Sequence, residues 1–251
     1  MNLEKLKDFW KQEEEYSFKG WDFSHINNRM KEETLPWNYG DIVKTYISEE
    51  KVLLDMGTGG GEFLLSLNPP KRKTYVTESY PLNVELCKNT LTPYGIEVRE
   101  VWDDSNVPFD DNYFDIVINR HESFCLSEVK RILKPGGIFI TQQVGGVNNK
   151  EMSKFLLGEY PNIIDIGLNL DKALKDLKDV GLKVIQKAEC FPKTYFYDIG
   201  ALVFFAKIIQ WEFPGFSVYG CFNKLVELQE NLEKQGYIET LEHRYFFIAE
   251  K

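Results

Sequence analysis

The sequence predicts an α/β fold, a seven-stranded, mostly parallel sheet with helices on both faces, and three observations lead to it. From Val52 onward, short β-rich runs alternate with stretches long enough to be helices, which suits parallel strands because each crossover takes about a dozen residues. A glycine turn, GTGGG at 57–61, directly follows the first of those runs, and open α/β sheets bind ligands at such strand ends. No tandem repeat or low-complexity linker divides the chain.

The elements follow in order. KVLLD is the first strand, and EFLLSL after the glycines begins the first crossover. TYVTE is the second strand, PLNVELCKNTL a helix, and IEVREVW the third strand. FDIVIN, from Phe114, is the fourth; SEVKRIL follows as a helix with Val129, Ile132 and Leu133 on one face. The run LKPGG, a proline with two glycines, is expected to stop that helix before GIFITQQV, the fifth strand. NLDKALKDLKDVG reads as a helix before the sixth strand, GLKVIQKAEC, and HRYFFIAEK is the seventh. Two stretches depart from this alternation. Residues 1–50 form an extension with Trp10, Tyr16, Trp21, Trp37 and Tyr39; residues 189–243 are an aromatic-rich insertion between strands six and seven of a main domain spanning 51–251. These additions either cover apolar helices or form a pocket and its cover.

With 251 residues, 43% of them hydrophobic, the chain suffices for one large domain carrying insertions. A formal charge of -9 argues against a generally basic nucleic-acid groove. Cys87, Cys125, Cys190 and Cys221 are widely spread, without a CxxC pair, and read as free thiols of a reducing compartment. The stretch IGALVFFAKII from Ile199 is too short to cross a bilayer and contains Lys207, so a buried helix is expected and a membrane partner is not. The acidic start, MNLEKLKDFWKQEEEY, is unlike a transit or signal peptide, which leaves the cytoplasm as the expected location. The cysteines and histidines make no compact zinc spacing, so no metal is expected.

The glycine turn narrows the cofactor. A dinucleotide fingerprint places a third glycine where this chain has Glu62. A carboxylate in that first helical turn repels a diphosphate, and no GK[ST] follows to make a phosphate loop. A nucleoside cofactor without phosphates fits better, and S-adenosylmethionine is one: adenosine, a sulfonium cation and an amino-acid tail. Asp55 can serve the tail's ammonium, directly or through water, and the glycines let the backbone approach the tail. Glu78 ends the second strand about twenty residues past the turn, where a carboxylate can accept both ribose hydroxyls.

With these residues the chain resembles the class I S-adenosylmethionine-dependent methyltransferases, the methyltransferase type 11 group in particular, over roughly Lys51 to Val144; the resemblance implies a Rossmann-like sheet. The family's D/E-x-G-x-G-x-G run is matched by Asp55, Gly57, Gly59 and Gly61, and its ribose-binding acid by Glu78. DDSNVPF at 103–109 is similar to the family stretch D-x-x-x-L-P-F, with Val107 in place of leucine. The resemblance makes Asp103 the residue that receives the adenine amino group, Asp104 its backbone-contacting neighbour, and Asn119 a contact of the cofactor's methionine part. Phe114, Asp115 and Val117 match F-D-x-V, and 133–137 match L-K-P-G-G. Asp115 is expected to orient the strand.

The acceptor is less legible. Methyl transfer from a sulfonium needs mainly positioning and a suitable field, so no dedicated base is required. Neither [N/D]-P-P-[Y/F] nor a nucleophilic cysteine pair follows the fourth strand. His121 in NRHESF is a candidate proton acceptor, with Glu122 to orient it, against the reading of a hydrogen-bonded structural histidine. His25 is a weaker candidate, and His243 is expected to lie away from the chemistry. Tyr195, as a second catalytic candidate, with Tyr197, Asp198 and Trp211, could line an acceptor pocket, against the reading of a packed connection. The expected activity is methyl transfer to a small organic molecule. Two alternatives stay open: tRNA or rRNA methylation, and a non-catalytic protein that binds S-adenosylmethionine.

Overall fold

The computed structural model describes residues 2–17, 23–158, 165 and 167–251. Trp21, which belongs to the aromatic extension, and neighbouring Asp22 lie outside the described residues. In chain order the elements are α1 (Leu3–Glu15), β1 (Met30–Glu32), α2 (Tyr39–Lys44), β2 (Leu53–Met56), α3 (Glu62–Ser66), β3 (Thr74–Glu78), α4 (Pro81–Thr90) and β4 (Glu97–Glu100). They continue with β5 (Phe114–Arg120), α5 (Leu126–Ile132), β6 (Leu133–Val144), α6 (Lys150–Leu157), α7 (Leu170–Val180), β7 (Lys183–Cys190) and β8 (Lys193–Phe196). The last are α8 (Ile199–Ile208), α9 (Phe222–Gln235), β9 (Ile238–Leu241) and β10 (Arg244–Glu250).

Contacts divide the chain into two compact units. One comprises Pro36–Val144, Asn169–Glu189 and Arg244–Lys251. It holds the expected seven-stranded sheet, in the order β4-β3-β2-β5-β6-β10-β7. Strands β2 to β6 pair in parallel and β10 runs antiparallel to β6. Because side chains alternate across a strand, each strand feeds two cores. Leu53, Val76, Ile116, Ile118, Ile140, Phe246 and Ile248 pack with Leu64 of α3 and Cys87 of α4. Leu54, Val117, Phe139 and Phe247 pack on the other side with Val129 of α5 and Leu177 of α7.

The other unit comprises Met1–Leu35, Gly145–Leu168 and Cys190–His243. Its core surrounds α8, in which every residue but Lys207 is buried. An apolar sequence without a polar stripe needs cover on all sides, and here α8 finds it within the unit. No helix among the described residues is long and apolar enough to cross a membrane. A second sheet, β1-β8-β9, lies in this unit with both pairings antiparallel. Its strands have three or four residues, too short for a period of two to stand out in sequence.

The LKPGG run stops the helix as expected, but instead of a loop it forms the start of the next strand. Helix α5 ends at Ile132, and Leu133 already opens β6, paired with Phe114. The next registered pair is Ile116 with Ile138, so the extra residues are absorbed in a bulge where Gly136 adopts φ 74°. Positive φ is costly for residues with a Cβ.

Tyr39 of α2 fastens the middle of the large sheet. Its buried hydroxyl lies 2.9 Å from the carbonyl of Asn119 on β5 and 3.1 Å from that of Ile140 on β6. Burial foremost, with Asp55 nearby, raises its pKa well above the ordinary phenol value and keeps it a donor. Tyr39→Phe is expected to cost about 1 to 2 kcal/mol of stability, measured by denaturant unfolding; an unchanged midpoint would contradict this fastening role.

Candidate functional site

The glycine turn is fixed from below by β3. The N–H groups of Gly57 and Thr58 donate to the carbonyl of Thr77, at 3.0 and 3.2 Å. Gly61 caps α3 at φ 85°, and a Cβ there would stand 2.7 Å from Leu91. A larger residue there would have to displace the buried Leu91 side chain and would be strained by the positive φ. Gly59 differs, since a Cβ on it would meet nothing within 4 Å. The turn is thus closely packed at Gly57, Gly60 and Gly61 and open at Gly59, a shape that can cradle a ligand. Cys87 supports it from α4: its thiol donates to the carbonyl of Gly59 at 2.9 Å. Burial first, then the carboxylates of Glu78, Glu62 and Asp55, push that thiol up to about 12, which keeps it protonated and unreactive.

Glu78 is buried at the end of β3. One carboxylate oxygen accepts the Gly59 N–H at 2.8 Å, and the other accepts those of Ser79 and Tyr80 at 3.0 Å each. A carboxylate has about four acceptor positions, so three are committed to backbone. About one acceptor position remains for a further donor while the turn stays bonded.

Asp55 lies one strand away, on β2, paired with Val76. It is buried, and its partner is the Thr58 hydroxyl at 2.7 Å. Burial raises its pKa to about 7; the Thr58 bond and the Arg120 charge pull downward, and Glu78 pushes further up. A carboxylate buried with so little compensation suits a cationic ligand group.

The remaining expected site residues take varied positions. Asp103 follows β4, exposed; one of its oxygens accepts the backbone N–H and the hydroxyl of Ser105, and those two bonds lower its pKa. Its other oxygen has no protein donor among the described residues and can meet an amino group. Asp104 accepts the Ser123 hydroxyl at 2.5 Å, linking this loop to the one after β5. Val107 and Phe109 are buried, held by Glu128 and Arg131 of α5 through the Val107 N–H and both carbonyls.

Asn119 lies within β5 and is fully buried. Its amide nitrogen donates to the carbonyls of Met56 and Ser123, and its amide oxygen accepts from Thr141 and Gln143. With four bonds made inside the protein, that side chain ties three strand ends together. Asp115 accepts from the Val52 N–H and from Lys134 at 2.8 and 2.7 Å, fixing the opposite ends of β2 and β6.

His121 sits just past β5 at φ 62° with its Nε2 2.9 Å from the Gln142 amide nitrogen. Part of the residue is exposed. Even so, the crowding of the ring, then the charges of Arg244 and Arg120, depress its pKa to about 3. So weak a base is a poor proton acceptor near neutrality, and the ring acts as a neutral hydrogen-bonding group. Gln142 in turn accepts from the Trp37 indole at 2.8 Å, a connection without a motif to reveal it.

The other aromatic candidates belong to the second unit described above. Tyr195, on β8, donates its hydroxyl to Glu33 at 2.9 Å, and this bond foremost raises its pKa. The phenol therefore holds its proton. Asp198 caps α8 through the Ala201 N–H and pairs with Arg29, so its carboxylate is engaged. Tyr197 and Trp211 are exposed. His25 contacts Glu13 at 2.7 Å and stacks on Tyr16, and His243 is buried against Phe191.

The methyltransferase type 11 family model, a methyltransferase domain, matches residues 54–141, the span from β2 through most of β6. The chain has the class I S-adenosylmethionine-dependent methyltransferase fold. Among relatives, the phthiotriol/phenolphthiotriol dimycocerosates methyltransferase of Mycobacterium tuberculosis is 35% identical over 91 residues, 33% of each chain. The ribosomal protein L11 methyltransferase of Dictyoglomus thermophilum is 24% identical over 155 residues, 59% of this chain and 44% of the other. The chain thus spans less than half the length of these curated relatives. A solved geranyl diphosphate methyltransferase in complex with S-adenosylmethionine superimposes with a TM-score of 0.52 at 13% identity, covering 84% of this chain and 83% of the other. In this methyltransferase fold the open Gly59, the anchored Glu78 and the buried Asp55 fit an adenosyl amino-acid cofactor.

Asp55 gives the ligand-free protein a signature in pH. Its folded pKa, about 7, lies above the ordinary aspartate value of 3.8. The protonated folded form is favoured, so the stabilising contribution is full below pH 3.8 and is lost as pH rises through 7. The loss is on the order of 4 kcal/mol at most. Denaturant midpoints should fall between pH 5 and pH 8 in the unmodified protein and fall much less in Asp55→Asn. Parallel pH profiles for the two would show that Asp55 ionises normally.

Proposed function

We propose that this chain binds S-adenosylmethionine and transfers its methyl group to a small organic acceptor. The observation that carries the reading is the pair of buried carboxylates on neighbouring strands, Asp55 and Glu78, set around a turn that is open at Gly59. Glu78 offers its remaining acceptor position to the ribose, Asp103 its outward oxygen to the adenine amino group, and Asp55 its charge to the tail's ammonium. When bound, the cofactor supplies an electrophilic methyl on a positively charged sulfur.

The chain's own contribution is then placement and exclusion of water. His121 is too weakly basic and Tyr195 too firmly protonated to take a proton at neutral pH. The reading therefore uses an acceptor that needs no dedicated base, such as a neutral amine, a thiol or a readily ionised oxygen. A net charge of -9 disfavours RNA. The two relatives are named for phthiotriol-type molecules and for a ribosomal protein, and neither name denotes a nucleic acid.

Isothermal calorimetry should detect S-adenosylhomocysteine binding, and Glu78→Ala should weaken it by about 1 to 3 kcal/mol. An unchanged dissociation constant removes Glu78 from the site. Incubation with methyl-labelled cofactor and fractionated metabolites, protein and RNA should label the small-molecule fraction. Label confined to RNA or protein would overturn the acceptor class, and the absence of label from every fraction would favour a binding protein without turnover.

A further inference from the structure

The cofactor proposed above carries two opposite charges on its amino-acid tail, and the residues expected from sequence answer only one of them. Asp55 suits the ammonium; the α-carboxylate has no partner among Gly57, Gly59, Gly61, Glu78, Asp103, Asp104 and Asn119. Arg120 is the cation at the right place. It closes β5, next to β2, and the register pairs Asp55 with Ile118. Side chains two apart on a strand share a face, so Arg120 and Asp55 project from the same face of the sheet at its ligand end. By the same register Glu78, two beyond Val76, projects from that face too.

The guanidinium is held in place without being used up. It lies 4.0 Å from the centre of the Phe63 ring, in the helix that follows the glycine turn, and Phe63 stacks in turn on Tyr39 at 5.7 Å. Stacking fixes the plane of the fork and leaves its edge free. Apart from this stacking, the Arg120 guanidinium forms no hydrogen bond or ion pair with another described residue. It acts electrostatically on Asp55, yet Asp55 spends its hydrogen bond on Thr58. Five N–H donors and one buried carboxylate thus stand near each other without closing on each other, the arrangement a zwitterion can enter.

We propose that Arg120 is the carboxylate clamp of the site, its planar fork taking the α-carboxylate of the amino-acid tail while Asp55 faces the ammonium. This rests on the cofactor reading above. It makes Arg120 a specificity determinant: the site prefers the intact amino-acid tail over adenosyl ligands that lack the carboxylate. Lysine in its place supplies a point charge without the two-pronged geometry.

The test compares three ligands, S-adenosylhomocysteine, decarboxylated S-adenosylmethionine and 5′-methylthioadenosine, on the unmodified chain, Arg120→Met and Arg120→Lys. Methionine keeps the apolar stem over Phe63, and thermal melts confirm that the variants fold. Arg120→Met should weaken S-adenosylhomocysteine about 10- to 100-fold while changing either carboxylate-free ligand less than about 2-fold, with Arg120→Lys between. Equal losses for all three ligands would mean that Arg120 only shapes the site, and no loss for S-adenosylhomocysteine would place the carboxylate elsewhere; either overturns the clamp. Failure of the unmodified chain to bind any of the three would instead overturn the cofactor reading on which the clamp depends.

Discussion

The bond from the Gly59 N–H to Glu78 is the constraint on which the site depends. It joins the turn after β2 to the end of β3, and the same carboxylate gathers the N–H groups of Ser79 and Tyr80. Three otherwise unsatisfied donors are thereby settled on one buried side chain, which is costly to leave incomplete. The turn cannot shift without breaking this set. Its open side at Gly59 is therefore a fixed shape rather than a loop that must order when a ligand arrives, which lowers the entropic cost of binding. Leu91 and the Cys87 thiol, packed behind Gly61 and Gly59, hold the same turn from α4.

Electrostatically the site is built at a cost to stability. Asp55 and Glu78 occupy one face of adjacent strands, and each raises the price of charge on its neighbourhood. Thr58 and Arg120 offset part of this for Asp55, but its pKa still stands near 7. A cationic group beside Asp55 would favour its charged form and offset part of the cost of burying it. Arg120 also lowers the pKa of His121, where burial foremost, then Arg244 and Arg120, favour the neutral ring. One rim of the sheet thus holds an acid poised to ionise and a base discouraged from protonating.

Much of the sheet was legible because its strands are bounded by strong punctuation. TYVTE coincides with β3, and the glycine turn sits where a parallel sheet needs it. The LKPGG run ends α5 as its proline and glycines suggest, but its place as the bulged start of β6 is set only by pairing with β5 and Lys251. The sheet of β1, β8 and β9 was missed because strands of three or four residues carry no period, and their register comes from partners far apart in sequence. At the site, motif residues could be named but not their bonds. Asn119 matches a ligand contact in pattern, yet its amide is spent on strand ends. Arg120 has no motif at all; its importance comes from the register with Asp55 and the Phe63 ring. Tyr195 and Asp198 looked like a polar cluster by proximity in sequence, whereas their partners are Glu33 and Arg29.

On the proposed reading, a buried, half-protonated Asp55 meets the cation of an adenosyl amino acid. Calorimetric titration of S-adenosylhomocysteine at pH 6.5, repeated in buffers of different ionisation enthalpy, measures the protons exchanged on binding. With a ligand-free pKa of about 7, Asp55 is mostly protonated at that pH and ionises beside the ammonium, so roughly half a proton or more should be released per ligand bound. Asp55→Asn should abolish the release. Binding with no proton exchange in the unmodified protein, or the same release in Asp55→Asn, would mean that Asp55 is not the group that meets the ligand's cation.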